Sequence, residues 1–297
     1  MTADVLVICA NPLLNLVHAG ELIPGEINRM SAMAMHAEGK GVNVGRLLAR
    51  LGHRVVLTGF AGGHSGAWLR DLVKAEGMAD ACIDTLAPVR VGFMASSSHQ
   101  DHPTSMLPNG FPVTTAECDT LLRQIDSLLP HVRLVIISGS VPDDSAEDLY
   151  LSVLALGRRA GVPCWLDAHG SALVKALAGP IAPDLAKPNR EEYAQSTEWD
   201  RVPELHITDG GGIVEVHSRS EGSWQLIPPT IQQVNPIGSG DCYVAGLAHG
   251  WLQGLPLDQR LALASSAGAV NALRQDVAMI LPHEIDLLIS EVTVRPL

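Results

Sequence analysis

At 297 residues, with 46% apolar side chains but only 4% aromatic ones, the chain can bury a sizeable core that Ala, Leu, Val and Ile must fill. A formal charge of −12 without any basic cluster excludes a nucleic-acid partner, which needs a Lys/Arg stripe against the phosphates. There is no leader-like start, no apolar run of about 18 residues, and five scattered cysteines lack any CxxC pairing, so a cytoplasmic protein with no membrane partner is expected.

Strand and helix patterns alternate along most of the chain. Residues 4–10 form a short apolar run, as expected of a strand buried on both faces. A helix is predicted over 41–51, a strand over 54–58, helices over 65–76 and 114–129, and a strand over 134–138. The alternation continues with a helix over 145–159, a strand over 164–167 and a helix over 171–178. This rhythm predicts an α/β fold: a mostly parallel sheet between two helical layers. Residues 12–37 and 88–112 break the rhythm with turn-rich, β-like sequence and are expected to form a small β-sheet lid over the carboxyl edge of the main sheet. Residues 204–229 read as antiparallel strands joined at 209–212 and near 221–222. From Ser239 onward the chain is helical, interrupted at 254–256 and at Pro282. One domain spanning 1–297 accounts for these elements.

The strongest local signal is NPIGSGD at 235–241, followed by an apolar helix. Glycines before a helix let the backbone turn sharply, so that Gly238, Ser239 and Gly240 can aim their N–H groups at one point, where the helix dipole also favours an anion. Asp241 has no place in a simple anion cradle. It fits either as the cap of its helix or as a base facing an acceptor hydroxyl during phosphoryl transfer. A P-loop pattern is absent. The glycines at 59–66, with Asp84 beyond them, make only an imperfect dinucleotide fingerprint on the wrong strand. His99 and His102 could suggest a metal site but lack a third partner nearby and read as loop. Met30, Met33 and Met35 alternate as one strand face, suited to packing or to a dimer contact, and Asp143 with Asp144 reads as an acidic helix start.

Further pieces follow one another in a telling order: NPLLN at 11–15, EGKGVNV at 38–44, the glycines of 59–66, SGSVP at 138–142, Asp167, KPNREE at 187–192 and GSGD at 238–241. Together they resemble the phosphofructokinase-B family of carbohydrate kinases, in the ribokinase superfamily, over nearly the full length, and its sugar-phosphate branch most of all. The resemblance implies a three-layer α/β/α ribokinase-like fold, and ATP and Mg²⁺ as nucleotide and metal. It implies Asp241 as catalytic base, with Gly238, Ser239 and Gly240 as the anion hole. Asn15, Gly39, Lys40, Asn43, Arg90 and Ser140 are then expected at the sugar phosphate. Lys187, Thr208 and Gly210 join Gly238 and Gly240 at the nucleotide phosphates, and Asn271 belongs to the adenine region. Asn189 and Glu192 are expected to help hold Mg²⁺ through water, although the same pair could simply cap the helix after Pro188. Family lids often pair between subunits, so a homodimer through the lid is expected.

Several positions depart from the family pattern. Asn15 stands where the family has a sugar-binding Asp, Glu38 replaces the first glycine of G-G-K-G, and Gly92 replaces an Asn of the lid. A carboxylate accepts hydrogen bonds from two hydroxyls, whereas an amide accepts on one side and donates on the other. Glu38 beside a phosphate pocket disfavours a phosphorylated acceptor unless it pairs with Lys40 or points away. The stretch between Glu192 and Glu204 is short, and Asp209 adds negative charge near the expected nucleotide phosphates. The expected activity is transfer from ATP to a ketohexose phosphate such as fructose 1-phosphate, fructose 6-phosphate or tagatose 6-phosphate. The alternatives are a kinase for an unphosphorylated sugar or nucleoside, or an impaired binding protein on the same fold.

Overall fold

A computed structural model describes residues 3–20, 22–30, 33–96 and 103–297. His99 and His102 lie outside the described residues.

The first strand, β1 (Val5–Ile8), is buried along its whole length. The chain then leaves the main sheet through β2 (Leu13–Ala19) and β3 (Ala34–Glu38) and returns in α1 (Lys40–Arg50), β4 (Val55–Thr58), α2 (Gly63–Ala75) and the two-residue β5 (Ala79–Asp80). A second excursion carries β6 (Arg90–Ser96) and β7 (Thr104–Met106), before α3 (Thr115–Leu128) and β8 (Leu134–Ser138). Thr114 and Glu117 close a reciprocal capping box that fixes the start of α3. The helix expected over 145–159 is split: Asp143 caps a short 3₁₀ turn at Asp144–Ala146, and α4 (Leu149–Ala160) begins afterwards and ends on the left-handed Gly161.

Next come β9 (Cys164–Asp167), α5 (Ser171–Ala178), β10 (Leu185–Ala186) and the four-residue α6 (Arg190–Tyr193). Between Glu192 and Glu204 the short crossover is completed by α6 and one 3₁₀ turn, Glu198–Arg201. Its compactness rests on Tyr193 stacked on Trp199 at 5.4 Å, with the Trp199 indole donating to the Tyr193 carbonyl. The chain continues as β11 (Glu204–Ile207), β12 (Val214–Ser218), β13 (Gly222–Ile227), α7 (Ser239–Leu252), α8 (Leu257–Ala272), α9 (Pro282–Ile289) and β14 (Thr293–Pro296).

The main sheet runs β14-β13-β12-β11-β10-β9-β8-β1-β4-β5; β11 through β5 are parallel, and the last three strands at the other end join antiparallel. Alternation along each strand explains the two-sided apolar runs. Val5, Val7, Val55, Leu57, Leu134 and Ile136 share one core with α1, α2, α7 and α8, whereas Leu6, Ile8, Val135 and Ile137 share another with α3, α4 and α5. The fold is therefore the three-layer α/β/α arrangement expected. A separate four-stranded sheet, β3-β2-β6-β7, forms from the two excursions as expected of the lid segments, with β2 parallel to β6 and antiparallel to β3. The glycines of 59–66 serve close packing: a Cβ at Gly59 would sit 1.9 Å from the Cys9 carbonyl oxygen.

The sheet order places β1 between β8 and β4, so the chain winds outward in both directions from β1. That reversal opens a crevice at the carboxyl ends of the strands. Asp167 at the end of β9, Lys187 just after β10 and Thr208 just after β11 all project there.

Candidate active site

The turn before α7 is built around Gly238, whose φ of 83° is left-handed; a Cβ there would stand 2.5 Å from Val277 Cγ1. Beneath it Asn271 is completely buried. Its Nδ2 donates to the Ile237 carbonyl (2.8 Å) and to Ser239 Oγ (3.1 Å), and its Oδ1 accepts from the Ala278 amide (2.8 Å). Asn271 therefore holds the turn in shape from below. The Ser239 amide is also spent, donating to the Pro236 carbonyl at 3.1 Å. The N–H groups of Gly238, Gly240 and Asp241 have no acceptor among the described residues, and they sit at the positive end of the 14-residue α7. The ring of open donors thus includes Asp241 in place of Ser239.

Asp241 is 5% exposed, and its Oδ2 accepts from Asn43 Nδ2 at 2.8 Å. The Asn43 amide is itself oriented: its Oδ1 accepts from Arg46 Nη1 at 2.9 Å, and a guanidinium can only donate. Arg46 in turn is clamped by Glu76 through bonds of 2.6 and 3.0 Å. The chain Glu76–Arg46–Asn43 leaves Oδ1 of Asp241 as the oxygen without a partner. Burial, then the neighbouring Asp167, raise the Asp241 carboxyl to about 6, against the opposing pull of Lys40.

Asp167 gathers two ammonium groups, Lys187 at 3.3 Å and Lys40 at 3.4 Å, both on Oδ1. Burial works to raise this carboxyl, but Lys187 and Lys40 outweigh it and hold it below its usual value. Lys40 also donates to Glu192 Oε1 at 2.9 Å, and Asp167, Glu192 and Asp241 drive its own pKa up despite burial. A Cβ on Gly240 would lie 3.3 Å from Lys187 Nζ, so this ammonium stands directly against the amide ring.

One cavity of about 750 Å³ unites these parts. Gly39, Lys40 and Asn43 line it from the start of α1, and Gly238, Ser239, Gly240 and Asp241 from the start of α7. Lys187, Asn189, Thr208 and Gly210 complete the polar rim. An apolar wall that sequence reasoning passed over, Ile227 to Ile231 with its Pro-Pro pair, faces Ala269 and Ala272. The apolar, proline-stiffened run between β13 and α7 was the available signal, suited to a flat ring system. A second cavity of about 520 Å³ lies under the lid, between Val17, His36 and Met94 and the segment 273–279; Glu38 lines both.

Other expected residues stand elsewhere. Asn189 and Glu192 form a reciprocal capping box on α6, at 2.8 and 2.9 Å, so each already has an oxygen committed. Arg90 gives its guanidinium to the carbonyls of Pro12, Asn11, Pro108 and Asn109, stapling the lid to the body, and does not line the cavity. Ser140 Oγ accepts from Asn11 Nδ2 at 3.0 Å. Asn15 is buried behind Glu38. Asp209 turns outward, its Oδ2 3.9 Å from Arg190, so its charge is drawn away from the cavity.

Comparison with known proteins settles the lineage. The family pattern described as pfkB family carbohydrate kinase matches residues 8–284. The chain belongs to this family. The tagatose-6-phosphate kinase of Staphylococcus epidermidis is 26% identical over 285 residues, covering 90% of this chain and 91% of that protein. The possible 1-phosphofructokinase of Thermotoga maritima has a similar structure, with a TM-score of 0.90 at 22% identity over 99% of both chains. Phosphofructokinase-2 of Escherichia coli, in complex with potassium, superposes with a TM-score of 0.86 at 21% identity over 98% of this chain and 99% of its own. Membership makes this chain a carbohydrate kinase, and the match spans the turn that presents Asp241.

Proposed function

We propose that the chain transfers the γ-phosphoryl group of ATP to a hydroxyl of a sugar phosphate, of the ketohexose phosphate class. One observation carries the reading: the unpaired amides of Gly238, Gly240 and Asp241 open into the same cavity as the Asp241 carboxylate and the ammonium groups of Lys40 and Lys187. Apolar walls at 227–231 and 269–272 take the base of the nucleotide, and Thr208, Gly210 and Lys187 take its phosphates. As the transferring group leaves ADP, the amides and Lys187 stabilise the charge spread over its oxygens. The acceptor O–H bond breaks, its proton passes to Oδ1 of Asp241, a new O–P bond forms and the bond to the β-phosphate oxygen breaks.

The donor set suits Mg²⁺, a hard cation that takes oxygen ligands and keeps several waters. Among the described residues Asp167 Oδ2 is buried without a hydrogen-bond partner; Glu192 shares the Lys40 ammonium with Asp167, and Asn189 lines the rim. Because both capping residues already hold α6, they reach the ion through its water shell. Bound there, the ion would supply positive charge against phosphate charge that two ammonium groups cannot offset alone. The free cysteines suit a reducing cytoplasm, and no described helix is long and apolar enough to cross a membrane.

Ile23, Ile27, Met33, Val91, Met106 and Leu107, all on or beside the lid, are exposed apolar side chains. A second lid covering them makes the protein a homodimer, and sedimentation equilibrium should return twice the chain mass of 31.5 kDa. A monomer at micromolar concentration would exclude it.

A panel of ketohexose phosphates and free sugars, read through coupled ADP release, tests the reaction. Turnover is expected on at least one sugar phosphate and at background level with Asp241→Asn. Because the base must be ionised, kcat/KM should fall about tenfold per pH unit below about 6 and level off above it. A profile flat from pH 5 to 8 would remove Asp241 from the proton transfer.

A further inference from the structure

Asn15 and Glu38 depart from the family pattern, and the structure joins the two departures. Asn15 Nδ2 donates to Glu38 Oε2 at 2.8 Å. The contact is diagonal across the β2–β3 pair, since Asn15 lies opposite His36 and Glu38 opposite Leu13. This bond fixes the amide, so Asn15 Oδ1 points away from Glu38. That oxygen is buried and no donor among the described residues reaches it. It lies over Gly92, where a Cβ would stand 3.1 Å from it.

Glu38 accepts from Asn15 but has no cation beside it. It forms no ion pair among the described residues: Lys40 is given to Glu192 and Asp167, and Arg46 to Glu76. Burial pushes its carboxyl up, with the Asn15 bond opposing. A carboxylate without a cation thus lines the cleft that holds Asp241, and the donor-less Asn15 carbonyl is buried behind it. Such groups cost free energy until donors arrive, and the donors a sugar brings are its hydroxyls. A phosphate is repelled there. Two strands away on the same lid face, about 10 Å by sheet spacing, Arg90 has only carbonyl partners and keeps an uncompensated positive charge.

We propose that Glu38, positioned by Asn15, is the specificity residue for the acceptor. Glu38 accepts hydrogen bonds from the acceptor's hydroxyls while Asn15 holds it from behind, so the carboxylate absent at position 15 is supplied by the next strand. The acceptor lies with its hydroxyl-bearing carbons against Glu38 and its phosphate away from that carboxylate. This rests on the kinase reading above.

The test measures steady-state constants for fructose 6-phosphate, tagatose 6-phosphate and fructose 1-phosphate, and for 3-deoxy and 4-deoxy forms of the best of them. The proteins are the natural chain, Glu38→Gln, Asn15→Asp and the double variant Asn15→Asp/Glu38→Gly. Glu38→Gln should raise the acceptor KM at least tenfold, the range of a lost charge-assisted bond, and leave the ATP KM within twofold. At least one deoxy acceptor, poor with the natural chain, should lose no further ground in Glu38→Gln. Asn15→Asp should weaken the acceptor by placing two carboxylates in contact, and the double variant should recover it. The proposal is overturned by an acceptor KM unchanged in Glu38→Gln, or by an equal loss for parent and deoxy acceptors. If the natural chain turns over no acceptor above the Asp241→Asn background, the kinase reading falls first and takes this proposal with it.

Discussion

Asp241→Asn is expected to lower acceptor-dependent turnover by about 10²–10⁴, the range attributed to a positioned general base, while ATP binding stays within a few-fold. The substitution keeps shape and the Asn43 hydrogen bond can persist, so the open amides and both lysines remain in place. It removes only the oxygen able to take a proton. Its effect on stability has the opposite sign. The Asp241 carboxyl is raised to about 6 in the fold, mainly by burial, so its contribution is fully present below the unfolded carboxylate value and lost as pH rises through about 6. At pH 7.5 the natural protein therefore carries a penalty on the order of 3 kcal/mol that the variant lacks. Thermal melts should show the variant at least as stable as the natural protein at pH 7.5, with the advantage gone at pH 4. An inactive variant that also melts early would point to a structural role for Asp241 and against the base.

The largest expected loss of stability comes from Arg46. Its side chain is 1% exposed, and every N–H has an acceptor: Glu76 twice, Asn43 Oδ1, the Val277 carbonyl and the Ala37 carbonyl. Arg46→Met removes all five donors and leaves Glu76 without its partner, which for a buried pair costs about 3–5 kcal/mol. At roughly 2–4 °C per kcal/mol for a chain of this size class, the melting temperature should fall by about 10 °C. Arg46→Lys keeps the charge but cannot reproduce the fork, so it should recover only part of the loss. A melting temperature within 2 °C of the natural protein in Arg46→Met would contradict the network.

Much of the fold was legible because its signals are local. The two-sided apolar runs at β1, β8 and β9 gave the parallel sheet, and the interruptions at 12–37 and 88–112 gave the lid. The two-residue β5 and β10 were not legible, since nothing so short carries a period. β14 was missed because Thr293–Pro296 becomes a strand only by pairing with β13, where Pro296 is tolerated on the sheet's edge.

The site divides along the same line. Gly238, Gly240 and Asp241 could be read because a glycine turn before a helix is written in consecutive residues. The pairing of the Ser239 amide was not legible because it depends on the carbonyl three residues earlier, nor were the contacts of Asn271, whose partners lie in two separate loops. Asn189 and Glu192 were open to two readings, and the capping box is the one the coordinates display directly. The Asn15–Glu38 bond depends on the β2–β3 register, which no local pattern encodes.

The most direct measurement is a crystal structure with a non-hydrolysable ATP analogue, Mg²⁺ and the acceptor found by the sugar panel. The account predicts the γ-phosphate oxygens about 3 Å from the Gly238, Gly240 and Asp241 amides, with an acceptor hydroxyl against Oδ1 of Asp241. Triphosphate bound elsewhere in the cavity, or an acceptor whose hydroxyls lie away from Asp241, would contradict it.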